Sequence, residues 1–259
     1  MLIAIDIGSG LSKGVFDGCE IKIPSLVGKC SDFNPFMDKG NSFEKVIYKG
    51  ETFYTGETAL TTIKDVDRFK TTTSLWYKSC GNLILHLSLI ASAYPQGYKG
   101  KVYLVTGLPM KRYKDKSARD KFTSNLVGQH KFQTSNAKYD IEISAENLIV
   151  LPQALGLHFN VLKMSQSKVD WETAIVGYID IGTYTTGFAM VVYNNGSIAN
   201  SDSVDIGMVH LADGLTEPLK KEFNLEYGEQ CQLLKDLQVG KANADVVNQI
   251  QTPQLSNHS

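Results

Sequence analysis

The chain has 259 residues, 42% of them hydrophobic and 20% charged, the composition of an ordinary globular protein with room for one large domain or two smaller ones. Its formal net charge of −1 argues against partners held by a broad basic field, so neither direct nucleic-acid binding nor an acidic membrane surface is expected. No run approaches the ~20 apolar residues of a membrane span. The four cysteines, Cys19, Cys30, Cys80 and Cys231, are dispersed, form no CxxC pair and read as reduced thiols. With no charged leader before the first strand, a cytoplasmic protein is expected.

The first element is a buried strand, in which Leu2, Ile3, Ile5 and Ile7 supply apolar and β-branched bulk around a carboxylate, Asp6. Gly8 and Gly10 break it in a tight turn, with Ser9 between them and Lys13 just beyond, before Val15 and Phe16 resume the apolar pattern. Such a hairpin tip exposes N–H groups, a hydroxyl and a cation, and can hold an anion because glycine lets the backbone approach it closely. GSGLSKG lacks Walker spacing, and its glycine falls one place late for GxGxxG.

From residue 21 to about 71 the texture changes. Asn34-Pro35 and Gly40-Asn41 are turn signals, and VIYKGETFYTG reads as two short strands around Lys49-Gly50-Glu51. This stretch is expected to be a small β-rich insertion. Leu75 to Tyr94 has apolar residues on nearly every face and is expected to be a buried helix. His86 lies inside it as a packed residue. Lys101 to Thr106 reads as a short buried strand that turns off at Gly107-Leu108-Pro109. Lys111 to Val127 reads as one amphipathic helix with a basic, solvated face. YDIEIS and NLIVL, between Tyr139 and Leu151, are strands, and Pro152-Gln153 opens a further helix carrying His158.

After a polar loop at Lys163 to Asp170 the first pattern returns. Asp180 interrupts an apolar strand, Gly182 turns, Thr183, Thr185 and Thr186 supply hydroxyls, and Gly187 leads into Phe188-Ala189-Met190-Val191. A turn at Asn194-Asn195-Gly196-Ser197 and a return strand to about Ile206 follow. Helical pieces are expected at Met208 to Phe223 and Gly228 to Leu237, then a polar tail.

IDIGSGLSKGVF and IDIGTYTTGFAM align residue for residue. Two copies of strand, carboxylate, glycine turn and strand point to two related domains facing one another. A phosphate chain clamped between two hairpins, with Asp6 and Asp180 aimed at a metal, is the simplest chemistry that uses both. The ordinary alternative for either copy alone is a tight hairpin with a surface aspartate.

The pair resembles the phosphate loops of the actin-like ATPases, the superfamily that also holds sugar kinases and heat-shock chaperone ATPases. Within it, VTGLPMKRY (Val105 to Tyr113) and YTGETAL (Tyr54 to Leu60) resemble the plasmid-segregation filament proteins of the ParM/StbA type, over roughly residues 1 to 235. The resemblance implies an α/β, actin-like fold built from duplicated RNase H-like domains, the first at 1–165 with its β-rich insertion and the second at 166–259. It implies ATP or ADP with Mg²⁺ as ligands, self-association into filaments and a DNA-adaptor protein as partner. Asp6 and Asp180 would hold the metal through water. Gly8, Ser9, Gly10 and Lys13 would contact phosphate from one side, and Gly182, Thr183 and Thr185 from the other. Gln153, at the start of the connecting helix, would orient the attacking water. Glutamine has no ionisable group and cannot act as a base, so slow hydrolysis is implied.

The sequence departs from that pattern in one respect. The family's adenosine-binding element, a strand ending in a Gly-Gly turn, has no counterpart after Phe188, so the second domain is expected to be incomplete at its C-terminal end. This leaves three possibilities: a truncated product, completion by another chain, or loss of nucleotide turnover. A non-hydrolysing interaction module therefore stands beside the ATPase reading. A sugar or acetate kinase finds no distinctive substrate acid to support it.

Overall fold

A computed structural model of the protein describes residues 2–30, 41–73, 75–153, 155–158, 173–192, 197–210 and 214. It divides into two compact units, Met1–Gly207 and Met208–Ser259. In the second unit only 208–210 and 214 fall among the described residues, all of them helical. The helices expected at 208–223 and 228–237, the loop at 163–170 and the Asn-Gly turn at 194–197 lie wholly or largely outside the described residues.

The first unit opens with the hairpin β1 (Leu2–Ile7) and β2 (Leu11–Phe16), followed by β3 (Cys19–Pro24). Alternation in β1 sends Ile3, Ile5 and Ile7 to the core and leaves Asp6 on the opposite face. A five-stranded sheet forms in the order β11-β8-β1-β2-β3, where β8 is Tyr103–Leu108 and β11 is Leu148–Pro152. Both run parallel along one side of β1. The expected turn at Gly107-Leu108 is instead the end of β8, because Gly107 and Leu108 pair with Leu151 and Pro152.

Between β3 and β8 the chain forms β4 (Val27–Lys29), β5 (Lys45–Tyr48), β6 (Glu51–Thr55), α1 (Gly56–Thr62), α2 (Cys80–Ala93) and β7 (Tyr98–Lys101). After β8 come α3 (Met110–Lys114), α4 (Lys116–Leu126), β9 (Gly128–Gln133) and β10 (Lys138–Ile143). A six-stranded sheet in the order β4-β6-β5-β9-β10-β7 thus joins the strands of the β-rich stretch to later ones. The β5–β6 turn falls where the sequence placed it but takes two residues, Lys49 at φ 52° and Gly50 at φ 79°, because Glu51 already pairs with Tyr48.

Helix α2 sits between the two sheets. Gly81 to Ala91 are all buried, and Ile84, Leu85, Leu87, Leu89 and Ile90 join one cluster with Ile3 and Ile5 of the first sheet and Val46, Phe53 and Ile141 of the second. A helix flanked on both sides needs apolar residues all round, which explains its lack of amphipathic pattern. It starts five residues later than expected, at Cys80, because the Ser79 hydroxyl accepts from the Asn82 N–H and caps it. Helix α1 takes its cap from elsewhere in the chain. The buried Glu44 carboxylate accepts from both the N–H (3.0 Å) and the hydroxyl (2.5 Å) of Thr58. The single helix expected at 111–127 is two helices, broken where Asp115 accepts from the Ala118 N–H.

The last strands of the unit are β12 (Ile175–Ile181), β13 (Thr186–Val192) and β14 (Ser197–Val204), an antiparallel sheet in that order. Among the described residues this third sheet has three strands against five in the first. None of the described helices is long and apolar enough to cross a membrane.

Candidate functional site

The two glycine turns are built alike. The Gly8 N–H donates to the Leu11 carbonyl at 3.1 Å, and the Gly182 N–H donates to the Thr185 carbonyl at 2.8 Å. Each turn therefore closes through the same bond between a residue and the third one after it. Each is preceded by two residues by an aspartate in the strand, Asp6 in β1 and Asp180 in β12.

The tips of the two hairpins meet. A Cβ on Gly10 would stand 2.7 Å from the Thr183 Cβ and Cγ2, a separation that real side chains do not reach, so only glycine allows this approach. Gly8, Ser9, Gly10, Gly182, Thr183 and Thr185 all belong to these two tips and are half-buried. Lys13 is exposed and pairs across the β1–β2 hairpin with Asp6.

Burial pushes the Asp6 carboxyl above the usual carboxylate range. A hydrogen bond from Gln153 and the charge of Lys13 oppose that rise, and the charge of Asp180 adds to it. The Gln153 amide nitrogen donates to Asp6 Oδ1 at 2.7 Å. Gln153 directly follows β11, and Gly107 at the end of β8 makes room for it. A Cβ on Gly107 would lie 2.8 Å from the Gln153 Cγ. Parallel pairing of β11, β8 and β1 thus carries Gln153, Gly107 and Asp6 to one end of the first sheet.

Besides the meeting of the tips, three contacts among the described residues fasten the third sheet, β12-β13-β14, to the first unit's other elements. Met110 on α3 is buried with Ala189 of β13. The Lys114 ammonium donates to the Ser201 carbonyl of β14. His158 Nδ1 lies 2.8 Å from the Tyr178 hydroxyl of β12, in edge-on ring contact.

The structure therefore places the sequence-selected residues in the two tips and the adjoining parts of β1, β2, β11 and β12, Lys13 being the one in β2. Four further residues support the tips without having been selected. Ser25 and Thr71 bond the first tip, and Gly107 accommodates Gln153. At Gly207 a Cβ would lie 2.6 Å from the Gly182 carbonyl and 2.7 Å from that of Thr183. Gly107 lies in the VTGLPMKRY stretch but was read there only as a turn, and the other three belong to no local motif, since each acts on a partner distant in sequence.

No three His, Cys, Asp or Glu side chains gather into a metal cluster among the described residues. Two carboxylates suit Mg²⁺ only when phosphate oxygens and water complete its shell. The donor set accordingly fits a magnesium ion that arrives with a phosphate ligand, and does not fit a resident metal.

A family model for the N-terminal domain of actin-like proteins matches residues 4–156. No curated protein sequence matches the chain. Among solved structures, the archaeal actin homolog Ta0583 superposes with a TM-score of 0.74 at 16% identity, over 90% of this chain and 71% of its own. It has also been solved in complex with ADP. A 15-stranded ParM filament from Clostridium botulinum gives 0.70 at 20% identity, over 90% of this chain and 73% of its own. The apo psk41 ParM protein gives 0.64 at 17%, over 95% and 81%. At these identities the likeness is one of fold.

Proposed function

This chain belongs to the actin-like proteins, and from that premise we propose that it binds ATP with magnesium between its two glycine hairpins, hydrolyses it slowly and assembles into filaments. The observation that carries the reading is the meeting of two equivalent tips, Gly10 against Thr183, each with an aspartate two residues before its turn. The ADP complex of an archaeal actin homolog and the ParM filament, both similar in fold, support it. Plasmid segregation through a DNA-adaptor protein is the role that such a cytoplasmic filament would serve. In this reading the first actin-like domain is residues 1–165 and the second begins at 166.

Gly8 and Gly182 would shape the two turns by closing them through their own N–H groups, and phosphate would be held by N–H groups and hydroxyls of Ser9 and Gly10 on one side and of Thr183 and Thr185 on the other, with Lys13 adding charge. Magnesium, when bound, would neutralise charge on the phosphates. Asp6 and Asp180 would anchor its water shell. Burial chiefly, and the charge of Asp180 in smaller part, raises the Asp6 pKa, and a cation between the two carboxylates would relieve their repulsion. Gln153, already tied to Asp6 through its amide nitrogen, would orient the attacking water through its amide oxygen while taking no proton.

Calorimetric titration with magnesium-ATP tests binding, and light scattering tests assembly. Affinity in the micromolar range or tighter, lost in Asp180→Ala, and a nucleotide-dependent rise in scattering are expected. An unmodified chain that yields no binding heat overturns the nucleotide reading, and binding without any scattering rise overturns the filament.

A further inference from the structure

Directly behind the first tip lies a pair of buried hydroxyls, Ser12 and Ser25, that neither a hairpin nor a core requires. The Ser25 hydroxyl donates to the Gly8 carbonyl at 2.5 Å, and the Ser25 N–H donates to the Gly10 carbonyl at 2.9 Å. Ser25 has a single hydroxyl proton, already given to Gly8, so Ser12, 2.7 Å away, is the donor in the bond between them. A third segment contributes Thr71, whose hydroxyl donates to the Ser9 carbonyl at 2.7 Å. Three successive carbonyls of the tip, Gly8, Ser9 and Gly10, are thus each held by a donor from outside the hairpin.

The consequence follows from peptide geometry. In a planar trans peptide the C=O and the following N–H point in opposite directions. Tying back the Gly8 and Ser9 carbonyls therefore aims the Ser9 and Gly10 N–H groups the other way. Glycine-rich backbone is otherwise free to flip a peptide, and a flip would turn a carbonyl oxygen, repelled by phosphate, toward the ligand. We propose that Ser25 and Thr71, with Ser12 orienting Ser25, are positioning residues that lock the first tip in its anion-binding orientation by holding its carbonyls away from the phosphate. This inference rests on the nucleotide reading above and adds to it the residues that preorganise the site.

The test is titration of the full chain with magnesium-ATP and, separately, with magnesium pyrophosphate, which carries phosphates and no nucleoside. Ser25→Ala and Thr71→Val are each expected to weaken both ligands by about tenfold, the loss of one well-placed hydrogen bond. The factor should be the same for the two ligands, and Thr71→Ser should restore it. A merely structural role for these hydroxyls would lower the unfolding midpoint without a matched loss for both ligands. Should Ser25→Ala fail to fold, the half-buried Thr71 pair of variants decides the matter alone. Unchanged affinity in folded variants, or a Thr71→Ser as weak as Thr71→Val, overturns the inference and leaves the nucleotide reading intact. An unmodified chain that binds neither ligand overturns both.

Discussion

Burial decides the chemistry of His86. Its side chain is fully buried in α2, with Nδ1 2.9 Å from the Asn82 carbonyl and Nε2 3.1 Å from the Thr106 hydroxyl. A carbonyl has no proton to give, so Nδ1 carries the hydrogen and Nε2 accepts from Thr106. Desolvation lowers the pKa from 6.5 to about 4. Because the folded value lies below the unfolded one, the unfolded chain binds the extra proton between them, and stability falls as pH drops from 6.5 toward 4. The full effect is about 3 kcal/mol, and urea unfolding at pH 7 and pH 5 should show a large part of it. His86→Leu should flatten that dependence. Asp6 behaves in the opposite sense. Its pKa is raised, so the folded state favours the proton and ionisation at neutral pH works against folding. Asp6→Asn is therefore expected to raise the unfolding midpoint of the free protein while abolishing magnesium-ATP binding, a pairing that calorimetric scans with and without nucleotide would reveal. Both aspartates were legible in the sequence because a carboxylate amid isoleucines and next to a glycine turn is locally anomalous. Ser25 and Thr71 were not, since a serine after a proline or a threonine in a polar run signals nothing until its partner is known.

Among elements, the break between α3 and α4 shows where local pattern misleads. Lys111 to Val127 keeps one amphipathic, basic rhythm across the break, and no glycine or proline marks it. Asp115 alone ends one helix and caps the next. Asp115→Ala should cost about 1 kcal/mol in chemical denaturation, as lost N-caps do. Strand β9 escaped sequence reading because only His130 and Phe132 of GQHKFQ turn inward. Its inward histidine is made tolerable by bonds to the Tyr48 hydroxyl and the Leu126 carbonyl. β1, β2, β5, β6, β12 and β13 were legible because alternation and turn residues agree there. The position of α3 against the third sheet was not, because the contacts of Met110 and Lys114 with β13 and β14 arise only when distant segments fold together.

For the whole molecule, fold class and duplication could be read from two short motifs, since a strand, a carboxylate and a glycine turn recur in the same order in both. That the two copies face one another was expected as well, but the closeness of their approach, Gly10 against Thr183, was not legible, because it depends on where the first sheet ends and α3 begins. That approach is open to test with Gly10→Ala, whose added methyl would occupy the place of the Thr183 side chain. The variant is expected to fold, as the tip lies outside the core, and to lose at least about tenfold in magnesium-ATP affinity. Wild-type affinity in that variant would show that the tips need not meet for binding.

The two tips keep the same turn but differ in what stands behind it. Hydroxyls of Ser25 and Thr71 hold the first, whereas the second rests on the bare backbone of Gly207. The two copies of an inherited pattern are consequently open to drift in different degrees. Position 71 can exchange threonine for serine and keep its donor. Position 207 has no such synonym, and a saturating library screened for folded, ligand-competent protein would return glycine there and little else.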